Sequence, residues 1–129
     1  MGFDVSQLDT KTGAEEGRFL HLRHVLTNAL MFHEGEKVGV TVRGYESPTV
    51  KAAAAKANAL RMDGKDDEAD FTILRANIIA FHNLDRDGRP LTTSDADMRW
   101  FFDLSDALNR QIVSFAAKPG NFVPPASGS

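Results

Sequence analysis

The sequence contains no cysteine. This absence excludes disulfide bonds, a thiolate nucleophile, and zinc or iron–sulfur sites built on cysteine ligands. Apolar runs are short, and none approaches the ~20 residues that a helix needs to cross a bilayer. The N terminus also lacks the basic start and apolar run of a secretory signal. We therefore expect neither a membrane partner nor export.

Neither positive nor negative charge is in large excess. The chain carries 15 Lys and Arg against 18 Asp and Glu, a formal net charge of −3, so no uniformly basic surface is available to neutralise phosphate groups. The hydrophobic fraction of 42% and the charged fraction of 26% lie near globular averages, which excludes wholesale disorder. The composition predicts a globular chain without a nucleic-acid partner.

Motifs that carry chemistry are missing. The sequence has no G-x-S-x-G, H-E-x-x-H, P-loop or G-x-G-x-x-G motif. His21 and His24 are three residues apart, a spacing that directs them to opposite faces of a strand. The loop from Asn83 to Gly88 is similar to the first half of a calcium loop, but Ser94 stands where the bidentate glutamate is required. We predict no catalytic residue, no cofactor, no metal site and no enzymatic activity.

The hydrophobic pattern predicts a single α+β domain over residues 1–129. In it, a small N-terminal antiparallel β-meander of about three strands packs with about four C-terminal α-helices. Residues 1–17 have apolar positions too sparse for a helix face and are interpreted as an arm. Residues 18–45 alternate apolar and polar side chains, as half-buried strands do. Residues 47–117 form the helical part, and residues 118–129 form a tail that we expect to be mobile beyond Pro125.

The helical part has recognisable start and stop signals. Ser47 is a favoured N-cap before Pro48, and the Ala-rich stretch that follows predicts a helix to about Met62. A loop at residues 82–93 contains a tight turn at Asp87-Gly88. Three further helices are predicted: over residues 67–81, from a Ser94–Asp97 capping box to about Asp103, and from a Ser105 cap to about Ala117.

One aromatic cluster, Trp100-Phe101-Phe102, lies in the third predicted helix. Each step along a helix turns the side chain by ~100°, so three adjacent aromatic residues cannot all face inward, and one of them is expected to face solvent or a partner. Core filling by any two of them is the competing interpretation, because a core of this size needs large side chains. Together with Phe122, these three aromatic residues are the candidate partner-binding residues.

Three stretches, taken in order, are similar to a known family. Leu8-Asp9-Thr10 precedes FLHLRHVLTNALMF, a strand, turn and short strand. VGVTVRGYES ends in Gly44-x-Glu46-Ser47, similar to the family's Gly-x-Asp-Ser before an Ala-rich helix. The stretch from Ile78 to Phe122 contains Asp-Gly-x-Pro-Leu, a capped short helix and a closing Leu-x-x-Gln-Ile-x-x-Phe. Over most of residues 6–123 the chain thus resembles the tail assembly chaperones of long-tailed bacteriophages.

The resemblance implies a non-catalytic function in the host cytoplasm. Chaperones of this family bind the long helical tape measure protein, keep it soluble, help to recruit tail tube subunits, and leave before the tail matures. Homo-oligomerisation is possible. The alternative is a permanent structural protein of the virion, such as a minor head, connector or tail component, since a small sheet with helices suits either role.

Overall fold

The computed structural model describes residues 2–125, and it confirms the predicted α+β fold class. Among these residues, strands are mostly N-terminal and helices mostly C-terminal. The helices are α1 (Lys11–Glu16), α2 (Pro48–Met62), α3 (Asp66–Asn77), α4 (Asp95–Leu104) and α5 (Asp106–Ala116). The strands are β1 (Arg18–His21), β2 (Phe32–His33), β3 (Glu36–Lys37), β4 (Gly39–Val42), β5 (Ile78–His82), β6 (Asp85–Arg86) and β7 (Arg89–Pro90).

The main sheet consists of three antiparallel strands in the order β1-β4-β5. Leu20 lies opposite Val40, and Val40 lies opposite Phe81. All three side chains belong to the hydrophobic core or pack against it. Because side chains alternate along a strand, Phe19 and Thr41 point to the outer face. The helices therefore cover one face of the sheet.

The strands are connected differently from a simple meander within residues 18–45. β1 pairs directly with β4, and the segment between them forms the separate hairpin β2–β3. The third strand of the main sheet is β5, which lies within the predicted helical part. Alternation of apolar residues identifies a half-buried strand, but it does not determine which strand that segment pairs with.

The predicted helix over residues 67–81 is wrong for its last four residues. α3 ends at Asn77, and the chain continues directly as β5. Asn77 Nδ2 donates to the Arg43 carbonyl oxygen at 3.1 Å, while the Arg43 backbone N–H donates to the Asn77 carbonyl oxygen at 2.6 Å. The β-branched pair Ile78-Ile79 also favours a strand. For residues 78–81, strand pairing with β4 therefore outweighs the helical spacing of the apolar side chains.

The interpretation of residues 1–17 as an arm is wrong for residues 11–16, which form the packed helix α1, whereas residues 2–8 are exposed. Residues 5–8 form a 3₁₀ turn, and α1 buries Gly13 and Ala14. A Cβ atom at Gly13 would overlap the carbonyl oxygen of Phe122, so α1 lies directly on the C-terminal segment. The Glu15 carboxylate accepts hydrogen bonds from the Ser47 hydroxyl at 2.6 Å and from the Thr49 backbone N–H at 3.2 Å. These contacts lower the pKa of Glu15 and tie α1 to the start of α2.

The three predicted serine N-caps are confirmed. Ser47, Ser94 and Ser105 each accept a hydrogen bond from the backbone N–H three residues further on, at 3.2–3.3 Å. Phe122 lies in a 3₁₀ turn, Pro119–Phe122, and contacts the Phe115 ring edge-on at 5.5 Å between centroids. The predicted mobile end beyond Pro125 lies outside the described residues. No helix of residues 2–125 is long and apolar enough to cross a membrane.

Phe122 should contribute strongly to stability, because its side chain is only 1% exposed. Phe122→Ala should reduce the free energy of unfolding by about 3–5 kcal/mol through lost burial and a residual cavity. Urea unfolding followed by circular dichroism measures the change. The matched control is Phe3→Ala, since Phe3 is 67% exposed and its loss should cost less than about 0.5 kcal/mol. Equal stability of the two variants would contradict the described packing.

Candidate partner-binding groove

The start of α4 is held by a carboxylate whose burial was not predicted from the sequence. Asp97 is 0% exposed. Its oxygens accept hydrogen bonds from both terminal nitrogens of Arg89, at 2.7 and 2.8 Å, and from the Thr92 backbone N–H and hydroxyl, at 2.8 and 2.7 Å. Arg86 adds a fifth contact at 3.2 Å. The Arg89 guanidinium and the Thr92 donors hold the pKa of Asp97 well below its ordinary range.

The two arginines are presented by the hairpin β6–β7. Its turn residues, Asp87 and Gly88, have φ values of +52° and +80°, as a type I′ turn requires. Arg86 and Arg89 lie opposite one another across this turn, so both guanidinium groups reach Asp97. The turn and a capping box at Asp97 were both predicted from the sequence, but the contact between them was not. The feature of the sequence that could have indicated this contact is the pair of arginines, Arg86 and Arg89, on either side of the Asp87-Gly88 turn.

Two of the four predicted partner-binding residues are core residues instead. Phe101 and Phe122 are each 1% exposed, so neither can contact a partner directly. Phe101 faces Phe81 of the sheet at 4.9 Å between ring centroids. Trp100 is half-buried, with the Arg86 guanidinium 5.1 Å from its ring. Of the three helix aromatic residues, Phe101 alone is fully buried, while Trp100 and Phe102 are half-buried and pack against the core.

Phe102 is the predicted residue that lies at an open surface. It is half-buried, contacts Phe71 edge-on at 5.4 Å, and lines a groove of about 690 Å³ between α3 and the junction of α4 and α5. Asn109 Nδ2 donates to the Phe102 carbonyl oxygen at 2.8 Å and thereby fixes the junction. The apolar side chains that line the groove are Ile73, Leu74, Phe102 and Val113. Val113 is 48% exposed although it lies in α5, which makes it the most open of the four.

The rim of the groove is predominantly acidic. Its charged residues are four exposed aspartates and two exposed arginines: Asp67, Asp70, Asp103, Asp106, Arg61 and Arg110. Arg61 lies 2.5 Å from Asp70 and neutralises it. Asp67 and Asp106 occupy the first turns of α3 and α5, where a carboxylate stabilises the helix. Asp103 lies in the last turn of α4, where the helix dipole opposes a carboxylate by about 0.3–1 kcal/mol.

A second cleft, of about 410 Å³, lies between α2 and α3 and is lined by Arg43, Lys56 and Arg75. Arg43 lies 3.3 Å from Glu15, and Arg75 forms an ion pair with Asp95. The threonine hydroxyls of this cleft donate to Glu15 and to the Glu68 carbonyl oxygen. Because both arginines and both threonines of this cleft already have partners within the chain, it is the weaker candidate.

The outer face of the main sheet and the adjoining β2–β3 hairpin carry exposed aromatic rings that were not singled out from the sequence. Phe19 and Phe32 are 39% and 58% exposed. His21 contacts Phe32 edge-on at 4.8 Å, and His82 contacts Phe19 at 5.3 Å. The His21 and His82 rings bind the Met31 carbonyl and the Thr41 hydroxyl, each at 2.6 Å. No group of three or more metal-ligating side chains converges within residues 2–125.

Comparisons with protein-family models, curated proteins and solved structures found no match for this chain.

The buried carboxylate predicts a specific pH dependence. Because the folded-state pKa of Asp97 lies below the unfolded value of about 3.9, the ionised group stabilises the fold above about pH 4. That contribution is lost progressively as the pH falls towards the folded-state pKa. Asp97→Asn should therefore lower the thermal midpoint at pH 7, and the difference from wild type should narrow at about pH 2.5.

Asp85→Asn is the control for this experiment, since Asp85 is an exposed carboxylate on the same hairpin. The thermal midpoint of Asp85→Asn should equal that of the wild-type chain at both pH values. An Asp97→Asn deficit of the same size at both pH values would contradict the assignment.

Proposed function

We propose that this chain is a tail assembly chaperone of a long-tailed bacteriophage. In this function it binds the tape measure protein in the host cytoplasm, helps to recruit tail tube subunits, and catalyses no reaction. The observation that carries the proposal is the open groove between α3 and the α4–α5 junction, whose lining includes half-buried Phe102 and half-exposed Val113. A helical ruler exposes apolar side chains until tube subunits cover them, and such side chains fit a groove between helices.

The amount of apolar surface in the groove favours a releasable complex. Leu74 is already buried in the free chain, so a partner gains contact area chiefly on Ile73, Phe102 and Val113. Full burial of one large apolar side chain contributes about 1.5–3 kcal/mol, and these three are partly covered already. The total is therefore several kcal/mol, against about 8 kcal/mol for a micromolar complex. A short-lived contact suits a chaperone better than a permanent virion component.

The groove can be tested by co-expression with the neighbouring tape measure gene. Val113→Ser should reduce co-purified tape measure protein at least about fivefold, because it removes the most exposed apolar side chain that lines the groove. The free energy of unfolding should change by less than about 0.5 kcal/mol, since Val113 is half-exposed.

Val25→Ser is a matched control, because Val25 is 49% exposed and does not line the groove. It should leave both binding and stability at wild-type values. Equal co-purification with the two variants would exclude the groove as the binding site.

The alternative, a permanent structural protein of the particle, makes an opposite prediction for mature virions. Quantitative mass spectrometry of purified particles should find this chain at far below one copy per tail if it is released during assembly. A stoichiometric amount in mature particles would overturn the chaperone proposal and support the alternative.

A further inference from the structure

The acidic rim adds a chemical preference to the apolar groove. We infer that the groove selects an amphipathic helix whose apolar stripe is flanked by lysine or arginine. The inference rests on the proposed function in assigning the groove to partner binding, and it goes further by stating the charge of the segment bound.

The carboxylates stand on both walls of the groove. Asp67 projects from α3, whereas Asp103 and Asp106 project from the opposite wall at the α4–α5 junction. All three are exposed, and none of them forms an ion pair among residues 2–125. A segment that lies on the apolar lining therefore meets carboxylates on either side. Arg110 also lies on the rim, but the three carboxylates outnumber it, because Arg61 is paired with Asp70. Basic residues flanking the apolar stripe would therefore be favoured on both walls.

Neither helix capping nor an ion pair within the chain accounts for the carboxylate of Asp103. Asp67 and Asp106 each stabilise the first turn of a helix, and Asp70 is paired with Arg61. Asp103 instead lies in the last turn of α4, which contains no basic residue to offset it. It is followed three residues later by another exposed carboxylate, Asp106. An uncompensated negative charge at this place fits a cation supplied by a partner.

The shape of the groove favours a helix over an extended strand. Its walls are helices, and no strand lines it, so a bound segment has no backbone edge to pair with. On α5, Asp106, Asn109 and Val113 follow the i, i+3, i+7 spacing of one helix face. Side chains from one face of a partner helix can pack between such rows, with the apolar lining giving affinity and the rim giving selectivity.

The test uses the full chain and two fluorescein-labelled helical peptides with the same leucine stripe, one flanked by lysines and one by glutamates. Fluorescence anisotropy measures Kd in about 50 mM and about 500 mM NaCl, conditions that differ strongly in screening. At low salt the lysine peptide should bind about tenfold more tightly, because several exposed ion pairs form together. At high salt the ratio should fall below about threefold.

The double variant Asp103→Lys/Asp106→Lys should reverse the preference at low salt. The control Glu36→Lys/Asp85→Lys makes the same change in net charge at exposed positions outside the groove, and it should retain the preference for the lysine peptide. Circular dichroism confirms that both variants keep the fold.

Equal affinity for the two peptides, binding of neither, or the same response in both double variants would overturn the inference. The proposed function is judged separately, by co-purification of the tape measure protein with Val113→Ser and Val25→Ser. If binding to the groove does not depend on charge but still requires Val113, only the inference about charge is refuted. Absence of tape measure protein from the purified wild-type chain would refute the proposed function.

Discussion

The exchange of two hydrogen bonds between Arg43 and Asn77 determines where the chain changes from helix to strand. Arg43 follows β4 directly, and Asn77 is the last residue of α3. Asn77 is 2% exposed, so its side-chain amide has little access to solvent and needs a partner within the protein. The contact satisfies that amide and starts β5 beside β4. It also places α3 against the sheet, and α3 forms one wall of the groove.

The opposite wall depends on a second buried polar contact. Asp97 joins the first turn of α4 to the β6–β7 hairpin, and a carboxylate at 0% exposure is stable only because charged and neutral donors surround it. With its first turn held in this way, α4 directs Phe101 into the core and Phe102 towards α3. The position of Phe102 in the groove therefore follows from a hydrogen-bond network on the far side of the same helix.

Some aromatic residues stabilise the core and another lies at the groove, and this division fits the proposed function. Phe101 and Phe122 fill the core, and Phe122 lies against α1 and α5. Phe102 and Val113 leave partly covered apolar area between acidic residues. A chaperone of the proposed kind needs a stable body with a modest apolar contact, since a larger one would hold its partner too long for release.

Local signals in the sequence were sufficient for the α+β class, for the caps at Ser47, Ser94 and Ser105, for the Ala-rich helix α2 and for the Asp87-Gly88 turn. Each depends on residues a few positions apart, where hydrogen bonding and backbone preference act directly. Residues 78–82, the burial of Phe122 and the groove itself depended on partners distant in the chain. β5 forms because β4 offers an edge, Phe122 is buried because α1 and α5 leave space for it, and the groove exists because α3 and α5 meet. Such contacts are decided by packing among distant segments, and for that reason only the tertiary structure could identify Val113 and Asp103.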